Sequence, residues 1–389
     1  MDNKKGNPMP EVELEEEYSG TIKQPFDPSE ISLTTPPMNL GDLMEMIDAG
    51  WINFGTNYQR SENLWSEKQQ SRFIESILLG LRLPAFYFEE VSKRKWNIID
   101  GLQRCCAIRN FCHDKTLRLR DLEFLSEQFE GATFDKLDFA TQRDIKMSPI
   151  TVNLLSKGVP DMVKYVLFKR LNTGGVSLTP QEIRNAVFTG PIIESIKAMA
   201  KSEAFVKVTL GKVETLRKTD MDFVSRFVAF YLLGWENYRP DLDRFINEAM
   251  EEIKGMGDNE QYLKELSKEF QEVMILSMRI FGNRAFRKQT SFNQRRKPLN
   301  KAYFEVISVT LAKLSRLERE FLYEKRRLLE ENMMKALNES QRYRDSFSGG
   351  TAEPSSVKMR FTWMNDIVQY TIQNKKIAVY DNKLTSEEF

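Results

Sequence analysis

The chain has one histidine in 389 residues, His113. Zinc sites built on paired His, His-containing facial triads and HNH-type nuclease centres need at least two, so none is expected within this chain. A Ser-His-Asp or Cys-His mechanism would have to use His113 itself. It follows Cys112 near the end of a predicted helix, without a G-x-S-x-G elbow, and reads as a helix-end or surface residue. Cysteine is scarce too: three, two of them adjacent at Cys105 and Cys106. They make no disulfide framework, and a reduced, cytoplasmic protein is the simplest expectation. There is no Walker A sequence, so any nucleotide site is not a P-loop. No apolar run reaches the ~18 residues of a membrane span, and no membrane partner is expected. A surplus of one charge is missing as well: 57 Lys and Arg face 56 Asp and Glu, leaving +1. No global field draws in nucleic acid; local patches must supply that attraction.

What is present is ordinary for a soluble protein with a real core: 41% hydrophobic and 29% charged residues, in a chain long enough for two domains. The beginning lacks a signal-peptide core and carries Glu11, Glu13, Glu15, Glu16 and Glu17. Residues 1–38 are expected to be a disordered acidic arm. Residues 39–190 alternate between helix and strand signals. Leu40 to Ala49 reads as a helix closed by Gly50. Ser66 caps another, with Gln69 completing a capping box, an apolar stripe of Phe73, Ile74, Ile77 and Leu78, and Gly80 as the stop. Ala85–Phe88 and Trp96–Ile99 read as strands around the basic turn Lys93-Arg94-Lys95, and Ile150–Leu155 as a third strand. Residues 191–389 read as helical, with 3.6-residue periodicity over 221–233, 241–253, 261–280 and 299–337, and no solenoid repeat. The expected fold class is α+β: a mixed N-terminal domain followed by an all-helical one.

The most informative segment is Trp96-Asn97-Ile98-Ile99-Asp100-Gly101-Leu102-Gln103-Arg104. An apolar strand ends in an acid, a glycine and a Gln-Arg pair, and Cys105 to Phe111 then reads as helix. A strand that delivers these groups to a helix start gathers a carboxylate, free backbone N–H groups and a guanidinium at one point. That suits a phosphate and a metal ion held by Asp100. The same residues also serve as a capping Asp, a turn Gly and a surface Arg. A second segment runs from Phe168 to Ala186. Met162, Val163, Val166 and Leu167 place an amphipathic helix before it. Asn172, Thr173, Gly174 and Gly175 end that helix, and Thr179, Pro180 and Glu182 start a new one with a capping box. A Gly-rich loop there would let backbone approach a ligand closely.

A third feature is basic. From Arg284 to Lys301 the chain carries Arg284, Arg287, Lys288, Arg295, Arg296, Lys297 and Lys301 with no acid among them, and Phe286 and Phe292 interleaved. Cations of this kind pair with backbone phosphates, and phenyl rings stack on exposed bases. A solvated connection between two helices reads the same way.

Four segments together resemble the family called domain of unknown function 262, the N-terminal half of GmrSD-type restriction systems. They are Tyr58-Gln59-Arg60 with Trp65, the helix Gln70–Gly80, the Asp100–Arg104 motif and the Asn172–Ala186 motif. Asp220–Phe227 and Pro298–Glu305 also fit. The resemblance implies a ParB/sulfiredoxin-like fold and nucleotide binding and hydrolysis coupled to DNA restriction or phage defence. The chain departs from the pattern at Leu102, where the family usually has a second Gln; an apolar Leu makes no hydrogen bond.

On this reading Asp100, Gln103 and Arg104 are the catalytic candidates. Tyr58, Gln59, Arg60, Gly101, Asn172, Thr173 and Gly174 would contact the nucleotide. The cofactor is a divalent metal, Mg2+ expected, on Asp100. Asn172 and the Gly174-Gly175 turn should face Asp100 and Arg104 across one cleft, with Arg60 at its rim. Phosphoryl chemistry needs positioning and charge neutralisation, so one His is no obstacle. Full-length relatives often carry an HNH half; here cleavage would fall to a separate nuclease subunit. The partners are then a nucleoside triphosphate, DNA and that nuclease, with self-association open. The competing readings are a non-catalytic DNA-binding or modification-sensing subunit, and a scaffold whose long helices bind a nuclease.

Overall fold

The computed structural model describes residues 11–13, 32–54, 65–171, 178–381 and 383–386. Two compact units emerge, one spanning 26–178 with 185–187, the other 188–389 with 179–184 and 1–25.

The first unit is α+β. Its strands are β1 (Leu33–Thr34), β2 (Pro37–Asn39), β3 (Ile52–Asn53), β4 (Phe86–Ser92), β5 (Lys95–Asp100) and β6 (Pro149–Leu155). They form a mixed sheet in the order β1-β6-β4-β5-β3, with β2 also on β6. The β4–β5 hairpin is antiparallel and sets Tyr87 opposite Asp100, while β4–β6 and β3–β5 are parallel. Along β4, Phe86 and Phe88 are buried and Tyr87 between them is not, the period-two alternation of a strand with one core face. The hairpin turns at Lys93-Arg94, where Arg94 adopts φ 62°.

The helices of this unit are α1 (Leu40–Asp48), α2 (Glu67–Leu78), α3 (Leu102–Ile108), α4 (Ser126–Phe129), α5 (Phe139–Met147) and α6 (Asp161–Leu171). The capping box of α2 forms as read, Ser66 with Gln69, and the helix buries Phe73, Ile74 and Ile77. α3 continues into a π-helical turn, Arg109–His113. Between α3 and α4 the chain has little regular structure, and Glu75 of α2 holds it. The buried Glu75 carboxylate accepts the backbone N–H of Glu123 at 3.0 Å, Phe124 at 2.7 Å and Leu125 at 2.8 Å. Burial pushes that carboxyl up, but the three N–H groups outweigh it and the net shift is downward.

The arm expected over 1–38 is partly structured. Leu33–Thr34 and Pro37–Asn39 pair with β6. In the second unit, Val12 makes a parallel bridge to Leu299, and Glu13 pairs with Lys288 at 2.7 Å. Of the acids that suggest disorder in sequence, Glu11 and Glu13 meet Lys212 and Lys288.

α7 (Pro180–Val187) starts with the predicted capping box of Thr179 and Glu182, with Pro180 in the first turn. The second unit continues through α8 (Pro191–Ala200), α9 (Glu203–Thr209), α10 (Thr219–Leu233), α11 (Leu242–Gly255) and α12 (Asn259–Phe281). Then come α13 (Lys301–Ala312), α14 (Arg316–Glu324), α15 (Arg326–Glu339), α16 (Gln341–Asp345) and α17 (Pro354–Ile372). Two differences from expectation stand out. The helix read over 299–337 is three helices, broken where Ser315 starts a new capping box with Glu318. Periodicity hid the break because α13 is buried on every side from Ala302 to Ala312, so no stripe marks where it stops. And the unit is not all helical, since β7 (Ile377–Tyr380) and β8 (Lys383–Ser386) close it with a hairpin. Among the described residues, no helix is long and apolar enough to cross a membrane.

Candidate functional site

The Asp100–Arg104 motif sits where β5 ends and α3 begins. Gly101 makes the junction with φ 102°, a left-handed backbone that costs an L side chain energy. A Cβ there would also come within 2.7 Å of Phe86 Cδ1, so glycine is required twice over. Arg104, one helical turn on, folds back. Its Nη2 donates to Asp100 Oδ2 at 2.6 Å, and Nη1 donates to the carbonyls of Pro84 and, at 3.2 Å, Ala85. The guanidinium lies 4.6 Å from the Phe86 ring centroid. Gln103 Oε1 accepts the backbone N–H of Trp65 at 3.1 Å. Leu102, the departure from the family pattern, packs against the hydrophobic core, so its side chain has a packing role that a Gln would not fill.

Asp100 and Arg104 therefore lie together, and Gln103 stands beside them in sequence but is anchored to Trp65. Tyr58, Gln59 and Arg60 lie outside the described residues, as do Asn172, Thr173, Gly174 and Gly175; the expected single cleft falls there too. Among the described residues no group of three or more His, Cys, Asp or Glu side chains is placed to hold a metal ion. Asp100 offers one carboxylate, already paired with Arg104. That fits no resident metal cage; it fits an ion that arrives on nucleotide phosphates and takes one protein carboxylate.

The lone histidine behaves as read. His113 ends the π-helical turn, with Nδ1 2.6 Å from Asp48 Oδ1. The three cysteines are buried thiols. Burial pushes the Cys112 thiol up to about 12 and the Cys105 thiol higher still, so neither is a nucleophile at neutral pH.

The basic stretch does not present all its cations. Arg287 is 2% exposed and donates to the Lys297 carbonyl at 2.6 Å. Arg284 pairs with Glu330, Lys288 with Glu13, and Lys301 with Asp222, each within 2.8 Å. Phe286 is buried against Phe304 and cannot stack on a base. Arg295 and Arg296 are exposed, Arg284, Lys288, Lys297 and Lys301 are partly exposed, and Arg287 is buried.

Sequence reasoning missed two buried charge clusters. In the first unit, Lys164 of α6 lies 2.6 Å from Glu89 of β4 and 2.8 Å from Asp161. Burial pulls the Lys164 ammonium down, but both carboxylates outweigh it and raise it. The apolar stripe read through Met162 and Val166 is thus only half right, since polar Asp161 and Lys164 are buried with Val163. In the second unit, Arg184 is fully buried; it donates to Gln181 and Asn247 and pairs with Asp243, with Asp222 at 3.7 Å. Asp222 also faces Lys301 at 2.8 Å and Arg226 at 3.5 Å. Arg226 and Arg360 reach the two oxygens of Glu305 at 3.3 and 2.5 Å. Burial works to raise the Asp222 carboxyl, yet Lys301, Arg226 and Arg184 hold it far below the carboxylate range. The signal was there in part: Asp222 and Arg226 stand four apart on one helix face.

Residues 40–189 match the family model described as GmrSD restriction endonuclease, N-terminal domain. No curated protein and no solved structure matches the chain. The matched span begins at α1, takes in the strand-to-helix junction of the Asp100–Arg104 motif, and ends two residues beyond α7. Residues 40–189 are therefore a GmrSD N-terminal-like domain, of the type that belongs to restriction systems.

Proposed function

We propose that this domain binds and hydrolyses a nucleoside triphosphate as the DNA-associated module of a cytoplasmic restriction or anti-phage defence system. Cleavage is left to a separate nuclease subunit, and the α+β unit is taken as ParB/sulfiredoxin-like. The observation that carries the reading is the placement of Asp100 and Arg104 at a strand end that opens into a helix, inside the matched span. Their ion pair is partly solvated, with the Asp100 side chain 31% exposed, so its partners can exchange. A phosphate entering beside Arg104 would take over the guanidinium and release the Asp100 carboxylate. Asp100 would then orient water or hold a divalent ion such as Mg2+, which when bound neutralises phosphate charge. Arg60, Asn172, Thr173 and the glycines after them would complete the nucleotide contacts.

The test is thermal and kinetic. Wild type should melt higher with a purine nucleotide and a divalent cation, by about 2.7 kcal/mol at a hundredfold excess over Kd. Asp100→Ala should lose turnover while keeping its fold. Absence of both a melting shift and turnover across all four NTPs ends this reading. A second reading is favoured by one observation: Asp100, Gln103 and Arg104 each have protein partners, and Leu102 is given to packing. A motif closed on itself suits a non-catalytic DNA-binding or modification-sensing subunit, which would bind DNA with a steep salt slope and no turnover.

A further inference from the structure

The second unit holds a cavity of about 410 Å3 that plays no part in the reading above. It is lined by Asn283 and Arg284 after α12, and by Glu324, Arg326, Arg327 and Glu330 of α14, α15 and their junction. Glu330 is taken up by Arg284, whose Nη2 and Nε lie 2.8 and 3.2 Å from one of its oxygens. Arg326 and Arg327 are exposed. Arg326 donates to the Tyr323 carbonyl at 3.1 Å, and Arg327 pairs with Glu331 at 3.0 Å and lies 3.3 Å from the Phe292 ring centroid. Exposed pairs of this kind are weak and yield readily to a phosphate.

A narrower recess of about 20 Å3 adjoins the cavity, sharing Phe281, Arg284 and Glu330 with it. Arg287 and Gln289 line this recess, 2% and 5% exposed. Arg287 spends Nη1 on Lys297, but among the described residues its Nε and Nη2 have no hydrogen-bond partner, and neither has either amide atom of Gln289. Burial and Arg296 pull the Arg287 guanidinium down to about 10, with Glu11 opposing, so it stays charged at neutral pH. Each unmet buried donor costs roughly 1–3 kcal/mol, more on a charged group. A buried cation without a carboxylate in contact is what an anion relieves; the recess has room for about one oxygen-sized atom.

We propose that this cavity and its recess form a binding site for a nucleotidyl phosphate, with Arg326 and Arg327 at the exposed side and Arg287 and Gln289 in the recess. The main cavity lies within the size range of small-ligand sites, roughly 300–1,000 Å3, and exceeds what an inorganic phosphate needs. The proposal deepens the nucleic-acid side of the proposed function and does not rest on hydrolysis at Asp100. The shared chemistry is a nucleoside carrying phosphate, either free or within a single strand.

The experiment uses the full chain, a labelled oligothymidylate followed by fluorescence anisotropy, and thymidine monophosphate followed by calorimetry. Strand binding without mononucleotide binding assigns the site to a strand; binding of the mononucleotide assigns it to free nucleotide. In either case Arg326→Gln/Arg327→Gln should weaken the probe at least about tenfold, and Asp100→Ala should not. Arg287→Met should weaken it too while its melting temperature holds or rises, because a buried cation with two unmet donors becomes an apolar chain. Wild-type affinity in the double arginine variant, or no binding of either probe by wild type, overturns the site. Binding lost only in Asp100→Ala overturns it as well, while leaving the proposed function standing.

Discussion

Among the described residues two Asp–Arg ion pairs join residues four apart: Asp100 with Arg104 in the α+β unit, and Asp222 with Arg226 in the helical one. In sequence they are the same signal. In the structure the first closes at 2.6 Å at a strand end, with about a third of the carboxylate wet. The second opens to 3.5 Å because Asp222 is shared with Lys301 and Arg184 inside a helix core. A pair at a wet edge can trade its partner for a ligand at little cost. A pair sewn into a core cannot, since each member left behind would be a buried charge. The spacing tells that two residues meet; only the packing around them tells whether the meeting is available to chemistry.

Three substitutions can break or sharpen this contrast. The largest effect should come from Arg360→Met. Glu305 is fully buried and shares its oxygens between Arg360 and Arg226, and removing a buried partner costs about 3–5 kcal/mol. Urea denaturation would read this directly, and a loss below about 1 kcal/mol would mean that the network is an ornament on an apolar core.

Next in size is the acid response of Asp222. Its folded-state affinity for a proton lies below the unfolded value of about 3.9, so its stabilisation is present above that pH and drains away as pH falls below it. The stability gap between wild type and Asp222→Asn should therefore be constant from about pH 5 to 8 and narrow below about pH 4. A gap that already narrows at neutral pH would show that the surrounding cations do not hold the carboxylate as described. The smallest effect belongs to the wet pair. Asp100→Ala should cost less than Arg360→Met, because the carboxylate is 31% exposed and Arg104, though its side chain is only 11% exposed, keeps the carbonyls of Pro84 and Ala85. A loss as large as that of Arg360→Met would make Asp100–Arg104 a structural clamp and favour the non-catalytic reading.

Local chemistry was the most legible part of this chain. The capping boxes at Ser66 and Thr179, the stop at Gly80, the strands that carry Phe86 and Ile98, and the glycine junction at 101 are all written in short stretches, because each depends on neighbours within a turn or a hairpin. What stayed hidden depends on distant partners. Nothing near Arg287 in sequence announces that it is buried, and nothing near Lys288 says that Glu13 will meet it. The division of 299–337 into three helices was lost because α13 is enclosed on every side. Of the candidate site, the strand-to-helix junction at Asp100–Arg104 was readable, but not that Arg104 turns back on Asp100 and the carbonyls of Pro84 and Ala85, nor that Gln103 accepts from Trp65. The cavity beside Arg326 and Arg327 joins residues about forty apart and has no motif.

Glu75 bears on the timing of local opening. One carboxylate on α2 takes three consecutive amides, 123 to 125, from a stretch with almost no regular structure. In hydrogen exchange such amides behave as members of the element that holds them. They are released when the helix lets go, not when the loop breathes. The segment between α3 and α4 therefore belongs, kinetically, to α2 and to the core beneath it, and a single carboxylate does for this loop what a strand pairing would do elsewhere.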